Sequence, residues 1–509
     1  MATRCTGAAI LVAFAVISSV SAALFAPGSG VTWPVVSLAV ATGLASLWLR
    51  RRDDGTERRV CVLVLGDLGR SPRMQYHALS LSKHGYHVTF VGFSETKPHE
   101  DVLRQERIKM EPIREVKGVQ VGPKIFTYVT KVILQTLQLL LVLLKMETQS
   151  HILMQNPPGL PGMAVAWLVC VLRGSRFVVD WHNYGFTIMA LSLGAAHPLV
   201  RLAKWYEHFF GPLAAHSLCV TAAMKDDLQK NWGIGATTLY DRPASVFRET
   251  PVKRRHELFV RLADAHLQFQ SSGCEEDERV EGTAFSVRDL SGDAVTLRAE
   301  RPALLLSSTS WTEDEDFSVL LDALEDYEGF INAGAALPPL VCVITGRGPQ
   351  KDHYMKLIDS LRLEHVKICT PWLEAEDYPV LLGSADLGVC LHKSSSGLDL
   401  PMKVVDMFGC CLPVCAIHFN CLHELVKHEE NGLIFRDSQE LAEQLKSKGR
   451  PSLCLSLSSQ GFPPQTADWE TSGGTCGPAG DRAGTTTGTR TSCHWLRRPD
   501  GTFNHRRQD

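Results

Sequence analysis

No Asn-x-Ser/Thr triplet occurs in the 509 residues, so the chain offers no acceptor for an N-linked glycan. Fifteen cysteines are present, but no two stand in the C-x-x-C spacing of a zinc site. They lie in otherwise apolar runs, as Cys170, Cys342, Cys390, Cys410, Cys411 and Cys415 do, which is how buried free thiols look. The cluster from Cys410 to Cys421 therefore reads as core, not metal. Both absences lean towards the cytosol. An excess of positive charge is missing too: 52 Lys and Arg face 55 Asp and Glu, a net charge of −3, and no nucleic-acid footprint results. What the chain has is length and 45% hydrophobic residues, enough for two cores with appendages.

Two uncharged apolar runs open the chain, residues 8–26 and 31–49, separated by Pro27-Gly28-Ser29-Gly30. Arg50, Arg51, Arg52, Arg58 and Arg59 follow. Each run is long enough to cross a bilayer core, and the arginines belong on the cytosolic side. Residues 1–57 read as a membrane-anchor region with 31–49 as the favoured span. The first run stays open between a signal peptide, half of a hairpin and a span.

Residues 58–243 read as a Rossmann-like domain. The apolar run at 60–65 ends in Gly66-Asp67-Leu68-Gly69-Arg70-Ser71-Pro72-Arg73, a buried strand leading through a glycine loop into a helix over 74–84. The third glycine of a dinucleotide fingerprint is absent. Arg70 and Arg73 around Ser71 suit an anionic ligand such as a diphosphate, or else are solvated arginines beside a tight turn. Residues 132–144 are apolar but short for a span, so a core helix is expected rather than an in-plane membrane contact. A strand at 177–179 then delivers Asp180-Trp181-His182-Asn183-Tyr184-Gly185 at its carboxyl end, where open α/β sheets bind ligands. His182 is a candidate general base with Asp180 orienting it, although the pair could equally be structural.

Residues 244–300 are charged and lack core periodicity, so a surface insert or linker, partly flexible, is expected. Residues 301–446 read as a second α/β domain. A strand over 340–345 ends in Gly346-Arg347-Gly348-Pro349, where two glycines would let the backbone approach a ligand. Asp314-Glu315-Asp316 mimics a D-x-D metal motif, but Thr312-x-x-Glu315 is also a capping box, and no metal is assigned. The densest chemistry lies in residues 394–416. Ser395, Ser396, Gly397 and Asp399 form a loop feeding a helix expected to begin at Pro401. Free N–H groups and Lys403 suit a phosphate there, and Asp406 a sugar hydroxyl. An ordinary helix start with a solvated Lys and Asp is the alternative.

The loop, helix and following L-P-V-C-A strand resemble the nucleotide-sugar half of the two-domain Rossmann-like (GT-B) glycosyltransferases. Asp406 stands where that family has its second Glu, whereas Leu398 occupies the place of the first, with Asp399 beside it. Glu424 and the later Asn431-Gly432-Leu433 match its closing E-[IL]-V…G-L pattern. Five longer segments narrow the resemblance: G-D-L-G-R-S-P-R-M, D-W-H-N-Y-G, S-S-T-S-W-T-E-D-E-D-F, T-P-W-L-E-A-E-D-Y-P and S-S-S-G-L-D-L-P-M-K-V-V-D-M-F-G. Together they resemble the chitobiosyldiphosphodolichol beta-mannosyltransferase family, over residues 60 to 446.

That resemblance implies an α/β chain with two Rossmann-like domains facing a cleft. It implies transfer of mannose from GDP-mannose to the outer GlcNAc of a diphosphodolichol chitobiose, in a beta-1,4 bond. This is the first mannose of the lipid-linked oligosaccharide for protein N-glycosylation, added on the cytosolic face of the endoplasmic reticulum membrane. Association with the mannosyltransferases that act next is implied too. The reaction would be inverting, need no metal and use no cofactor beyond the donor. His182 would be the base, assisted by Asp180. Lys403 and the loop Ser395-Ser396-Gly397 would hold the donor diphosphate, and Asp406 the ribose. Asp399 and Glu424 would stand on the donor side, with Gly346, Gly348 and Trp372 around the nucleotide base. Arg70, Ser71 and Arg73 would hold the lipid diphosphate. Two alternatives stay open: a GT-B enzyme with another donor, and a non-catalytic membrane scaffold. The tail, 447–509, is rich in Gly, Ser, Thr, Pro and Arg and departs from the family pattern. It is expected to be disordered and to impair domain closure.

Overall fold

The computed structural model describes residues 53–116, 123–271 and 280–448. The apolar runs at 8–26 and 31–49 and the tail from 449 onward lie outside the described residues. The chain divides into two compact units, the first holding the described residues up to Cys219 together with Met224–Leu239.

The first unit is built on seven parallel strands in the order β3-β2-β1-β4-β5-β6-β7. These are β1 (Arg59–Asp67), β2 (His87–Phe93), β3 (Ile108–Ile113), β4 (His151–Asn156), β5 (Arg176–Trp181), β6 (His216–Cys219) and β7 (Ala236–Thr238). A parallel strand covered on both faces is apolar throughout, and in β1 every residue from Val60 to Leu65 is buried. The strand order reverses between β1 and β4, so a crevice opens at their carboxyl ends. Helix α1 (Pro72–Lys83) follows β1 with proline in its first turn, where a missing N–H costs nothing.

Helix α2 (Lys124–Lys145) overturns one expectation. It is longer than the apolar stretch suggested, and of its large apolar residues Leu139 and Leu143 are fully buried. Phe126, Tyr128, Val129, Ile133, Leu137 and Leu141 are exposed, so α2 is not a core helix. Its last carbonyls are closed by Arg173, whose guanidinium donates to Leu143 O, Leu144 O and Met146 O at 2.7–3.1 Å. Helix α3 (Gly162–Arg173) packs on α2, α5 (Pro198–Phe210) packs on α3, and α4 (Gly185–Leu193) packs on α5. Across these neighbours Leu168, Val171, Leu191, Leu202, Trp205 and Phe209 are exposed as well. An apolar surface this broad on one unit marks a contact face.

The second unit carries six parallel strands in the order β13-β12-β11-β14-β15-β16. Its members are β11 (Ala303–Ser308), β12 (Leu340–Thr345), β13 (Val366–Cys369), β14 (Leu387–Cys390), β15 (Val414–Ile417) and β16 (Gly432–Phe435). Alternate residues serve opposite faces: Leu304, Leu306, Val341 and Val343 join one core cluster, and Leu305, Cys342 and Ile344 the other. Here the order reverses between β11 and β14.

The expected surface insert is, over its described residues, part of this core. Residues 252–265 form a helix (Val252–Ala265), followed by an antiparallel sheet of β8 (Val280–Gly282), β9 (Ser286–Asp289) and β10 (Ala294–Leu297). The helix turns His256, Phe259 and Leu262 inward at spacings of three, while charge covers its other face. Phe259, Phe269 and Phe285 pack with ring centroids 4.9–5.7 Å apart, beside Leu304 and Val341. His256, fully buried, meets Ser286 Oγ at 2.8 Å and Glu281 Oε2 at 3.1 Å.

Candidate active site

In the first unit, Asp180 sits near the carboxyl end of β5, without solvent exposure. Arg73 Nε donates to its Oδ2 at 2.8 Å and Nη2 to its Oδ1 at 3.0 Å. His77 Nε2 and His182 Nε2 each lie 3.0 Å from Oδ2. Burial alone would raise this carboxyl, but Arg73, His182 and His77 hold it well below the usual carboxylate range. Asp180 is therefore an anion, and both imidazoles turn an Nε2–H towards it. Burial pushes the His77 imidazole down from its ordinary value, which keeps it neutral. His182 is the open member, its side chain 22% exposed, against 6% for His77. With Nε2 committed, Nδ1 of His182 is left to receive a proton. Arg73 and His77 stand one helical turn apart on α1, which places both on one face.

Arg73 thus departs from its expected role. It lies inside the unit and its third donor goes to Leu239 O at 2.9 Å, so it holds Asp180 and does not face a lipid diphosphate. Ser71 Oγ donates to Asp67 O at 3.0 Å. Arg70 remains on the surface, 3.3 Å from Thr96 Oγ1 and 3.5 Å from Asp67.

In the second unit, the loops after β11 and β14 meet at the switch point, where Glu315 and His392 form an isolated bridge. Glu315 is buried and does not cap its helix as Thr312-x-x-Glu315 suggested. Its Oε2 accepts from Thr309 Oγ1 at 2.5 Å and Ser310 N at 2.9 Å, and its Oε1 pairs with Lys403 Nζ. The helix begins later, at Ser318, with Asp316 Oδ1 accepting from Ser318 N at 3.0 Å. An ammonium has three hydrogens, so Lys403 retains donors after meeting Glu315.

The 394–400 loop is closed on itself. Ser394 Oγ donates to Asp399 Oδ1 and accepts from Leu398 N at 3.2 Å, while Gly397, at φ +74°, donates its N–H to Ser394 O at 3.2 Å. Three of the loop's N–H groups, those of Gly397, Leu398 and Asp399, are spent internally. Ser396 Oγ also accepts from Leu398 N at 3.2 Å, and Ser395 makes further contacts of its own. Burial raises the Asp399 carboxyl. The helix after the loop is Met402–Gly409, with Pro401 as its cap instead of its first residue. The Asp406 side chain, on that helix, makes no hydrogen bond among the described residues; burial first and the charge of Asp241 second push its carboxyl up to about 8.

Gly346 and Gly348 have a different reason from the one expected. A Cβ at Gly346 would come within 1.8 Å of Thr309 O, and one at Gly348 within 1.7 Å of Ser310 O. The backbone they admit is that of the loop after β11. The Arg347 guanidinium lies 3.6 Å from the ring centroid of Trp372, which is half exposed. Glu424 is engaged within its own unit, accepting from Ala222 N, Ala223 N and Tyr240 Oη at 2.8 Å each. Sequence reasoning missed His392, whose Nδ1 stands 2.7 Å from Asp314 Oδ2. This contact, against burial, holds Asp314 well below the usual carboxylate range. Nothing in the local spacing signals it, because the partners sit on loops after different strands. Among the described residues no three His, Cys, Asp or Glu side chains gather as metal ligands would.

Residues 293–448 match the family described as Glycosyl transferases group 1. The chitobiosyldiphosphodolichol beta-mannosyltransferase of Homo sapiens is 58% identical over 399 residues, covering 78% of this chain and 86% of its own. A relative from Arabidopsis thaliana, UDP-glycosyltransferase TURAN, is 46% identical over 432 residues, covering 80% of this chain and 92% of its own. Among solved structures, the sucrose-phosphate synthase of Thermosynechococcus elongatus aligns with a TM-score of 0.54 at 12% identity, over 79% of this chain and 92% of that one, and shares the fold. With its two parallel Rossmann-like sheets of the GT-B kind, the chain belongs to the chitobiosyldiphosphodolichol beta-mannosyltransferase family.

Proposed function

We propose that this chain adds mannose to chitobiosyldiphosphodolichol, with GDP-mannose as donor. The observation that supports it best is the Asp180–His182 pair, in a chain 58% identical to a human enzyme of that name. His182 Nδ1 takes the proton from the 4-hydroxyl of the outer GlcNAc as that oxygen attacks the anomeric carbon. Asp180 fixes the ring and balances the imidazolium that forms. One in-line displacement from an alpha-linked donor gives the beta bond. Lys403 steadies the departing diphosphate with the hydrogens Glu315 leaves it. Asp406, half-buried and with no side-chain hydrogen bond among the described residues, accepts from the ribose. Arg347 and Trp372 offer a flat surface to the base, and no step is routed through a metal.

The exposed apolar face of α2 to α5 supports a place in the plane of a membrane, with the polyprenyl acceptor within reach. The endoplasmic reticulum and its later mannosyltransferases are the setting this reading assigns. A donor panel tests it. With a chitobiosyl-diphosphate lipid, GDP-mannose should turn over and UDP-glucose or UDP-GlcNAc should not; preference for a UDP-sugar would replace the donor.

A further inference from the structure

The His182 segment is tied down from a side that the proposed chemistry leaves unused. Asn156, fully buried at the end of β4, accepts the His182 N–H on its backbone carbonyl at 2.8 Å. Its Nδ2 donates to Asn183 O at 3.3 Å and to Glu207 Oε1 at 3.1 Å. Glu207, on α5, accepts the Gly185 N–H on the same Oε1 at 2.8 Å. Residues 182, 183 and 185 are thus each fastened to one buried pair, Asn156 and Glu207.

That pair has an unbalanced inventory. Among the described residues, neither Glu207 Oε2 nor Asn156 Oδ1, both buried, has a hydrogen-bond partner. A buried acceptor left unpaired loses its hydration with nothing in return, and the loss is larger if it is charged. Among the described residues no cation faces Glu207 to offset an anion. From α4 it meets backbone N–H groups, and from β4 an amide. The titratable groups nearest it are Tyr184 and Tyr206, both kept neutral by burial, with Asp227 beyond Tyr184 Oη at 2.6 Å. Lys204, one turn back on the same helix, turns to the Phe186 ring.

We propose that Glu207 works in its protonated form, as a positioning residue that with Asn156 holds the His182 segment in register. The inference rests on His182 as the base. A proton on Oε2 converts one surplus acceptor into a donor, leaving Oε1 to bind Gly185 and Asn156. Burial, opposed by these hydrogen bonds, raises the Glu207 carboxyl to about 7. Loss of that proton puts an unpaired charge under the segment and loosens it. Because the folded value lies above the unfolded one, the stabilisation is full below the ordinary carboxylate range and is lost as pH rises through about 7.

The test compares full-length wild type with Glu207→Gln and Glu207→Ala, using GDP-mannose and a chitobiosyl-diphosphate lipid from pH 6 to 9. Glu207→Ala should lower kcat about 100-fold with little change in donor KM, as a misplaced base does. Glu207→Gln, which carries a permanent donor, should restore most of that, flatten the fall in kcat as pH rises through about 7, and flatten the fall in Tm that melts from pH 4 to 8 show in wild type. Gln as inactive as Ala in a folded protein, or an Ala variant with wild-type kcat, would overturn the proposal. His182→Ala separates the two readings: undiminished turnover removes the base assignment, while the pH dependence of Tm still reports the proton on Glu207.

Discussion

Arg73 and Asp180 meet through two parallel hydrogen bonds, at 2.8 and 3.0 Å, although 107 positions separate them in the chain. A fork of this kind fits a carboxylate as no other side chain does. Arg73→Ala should therefore leave a buried anion served by two imidazoles alone, costing about 3–5 kcal/mol. Arg73→Lys should recover little, since an ammonium cannot bridge both oxygens. Denaturant melts and kcat on the same preparations check this. An alanine variant of wild-type stability and rate would remove Arg73 from the site.

Glu315 and Lys403 form the corresponding pair in the second unit, with Glu315 buried and Lys403 partly open. Glu315→Ala should cost about 2 kcal/mol, less than a wholly buried pair because the ammonium is partly solvated. Lys403→Met should raise the Kd for GDP about tenfold, the loss of one charge-assisted contact. A denaturant melt reads the first variant and an isothermal titration with GDP the second. Unchanged GDP affinity in Lys403→Met would take the lysine out of the diphosphate site.

Asp406 predicts a pH effect of its own. Its folded carboxyl is raised to about 8, so its contribution is full below the ordinary carboxylate range and disappears as pH rises through 8. Thermal melts between pH 5 and 9 should show Asp406→Asn losing less Tm over that window than wild type. Parallel curves would mean the carboxyl is not raised.

Phe285 tests the insert. Its ring packs 4.9 Å from Phe259 and 5.4 Å from Phe269. Phe285→Ala should destabilise the protein by about 3–5 kcal/mol, as deletion of a core aromatic does. A variant within 0.5 kcal/mol of wild type, the ordinary range for a surface substitution, would return the segment to the surface.

Much of the fold was legible because doubly covered parallel strands leave continuous apolar runs, as at 60–65 and 340–345. Asp180 and His182 were legible because they follow such a strand. Arg73 was not, since its partner is distant in sequence and a helix start does not show which side chain turns inward. The helix Val252–Ala265 hid behind its charged outer face. Helix α2 shows the converse: an apolar pattern does not distinguish a face against core from a face left open. Gly346 and Gly348 announced a close approach without naming what approaches, and Thr309 and Ser310 do.

The most direct measurement is single-turnover transfer by the detergent-solubilised full chain, from GDP-mannose to a chitobiosyl-diphosphate lipid, beside His182→Asn. The account predicts a beta-linked mannosyl product from wild type and a rate lower by about 10²–10⁴ in the variant, the contribution of a positioned base. Equal rates in the two proteins, or no product from wild type under conditions where the human relative works, would contradict it.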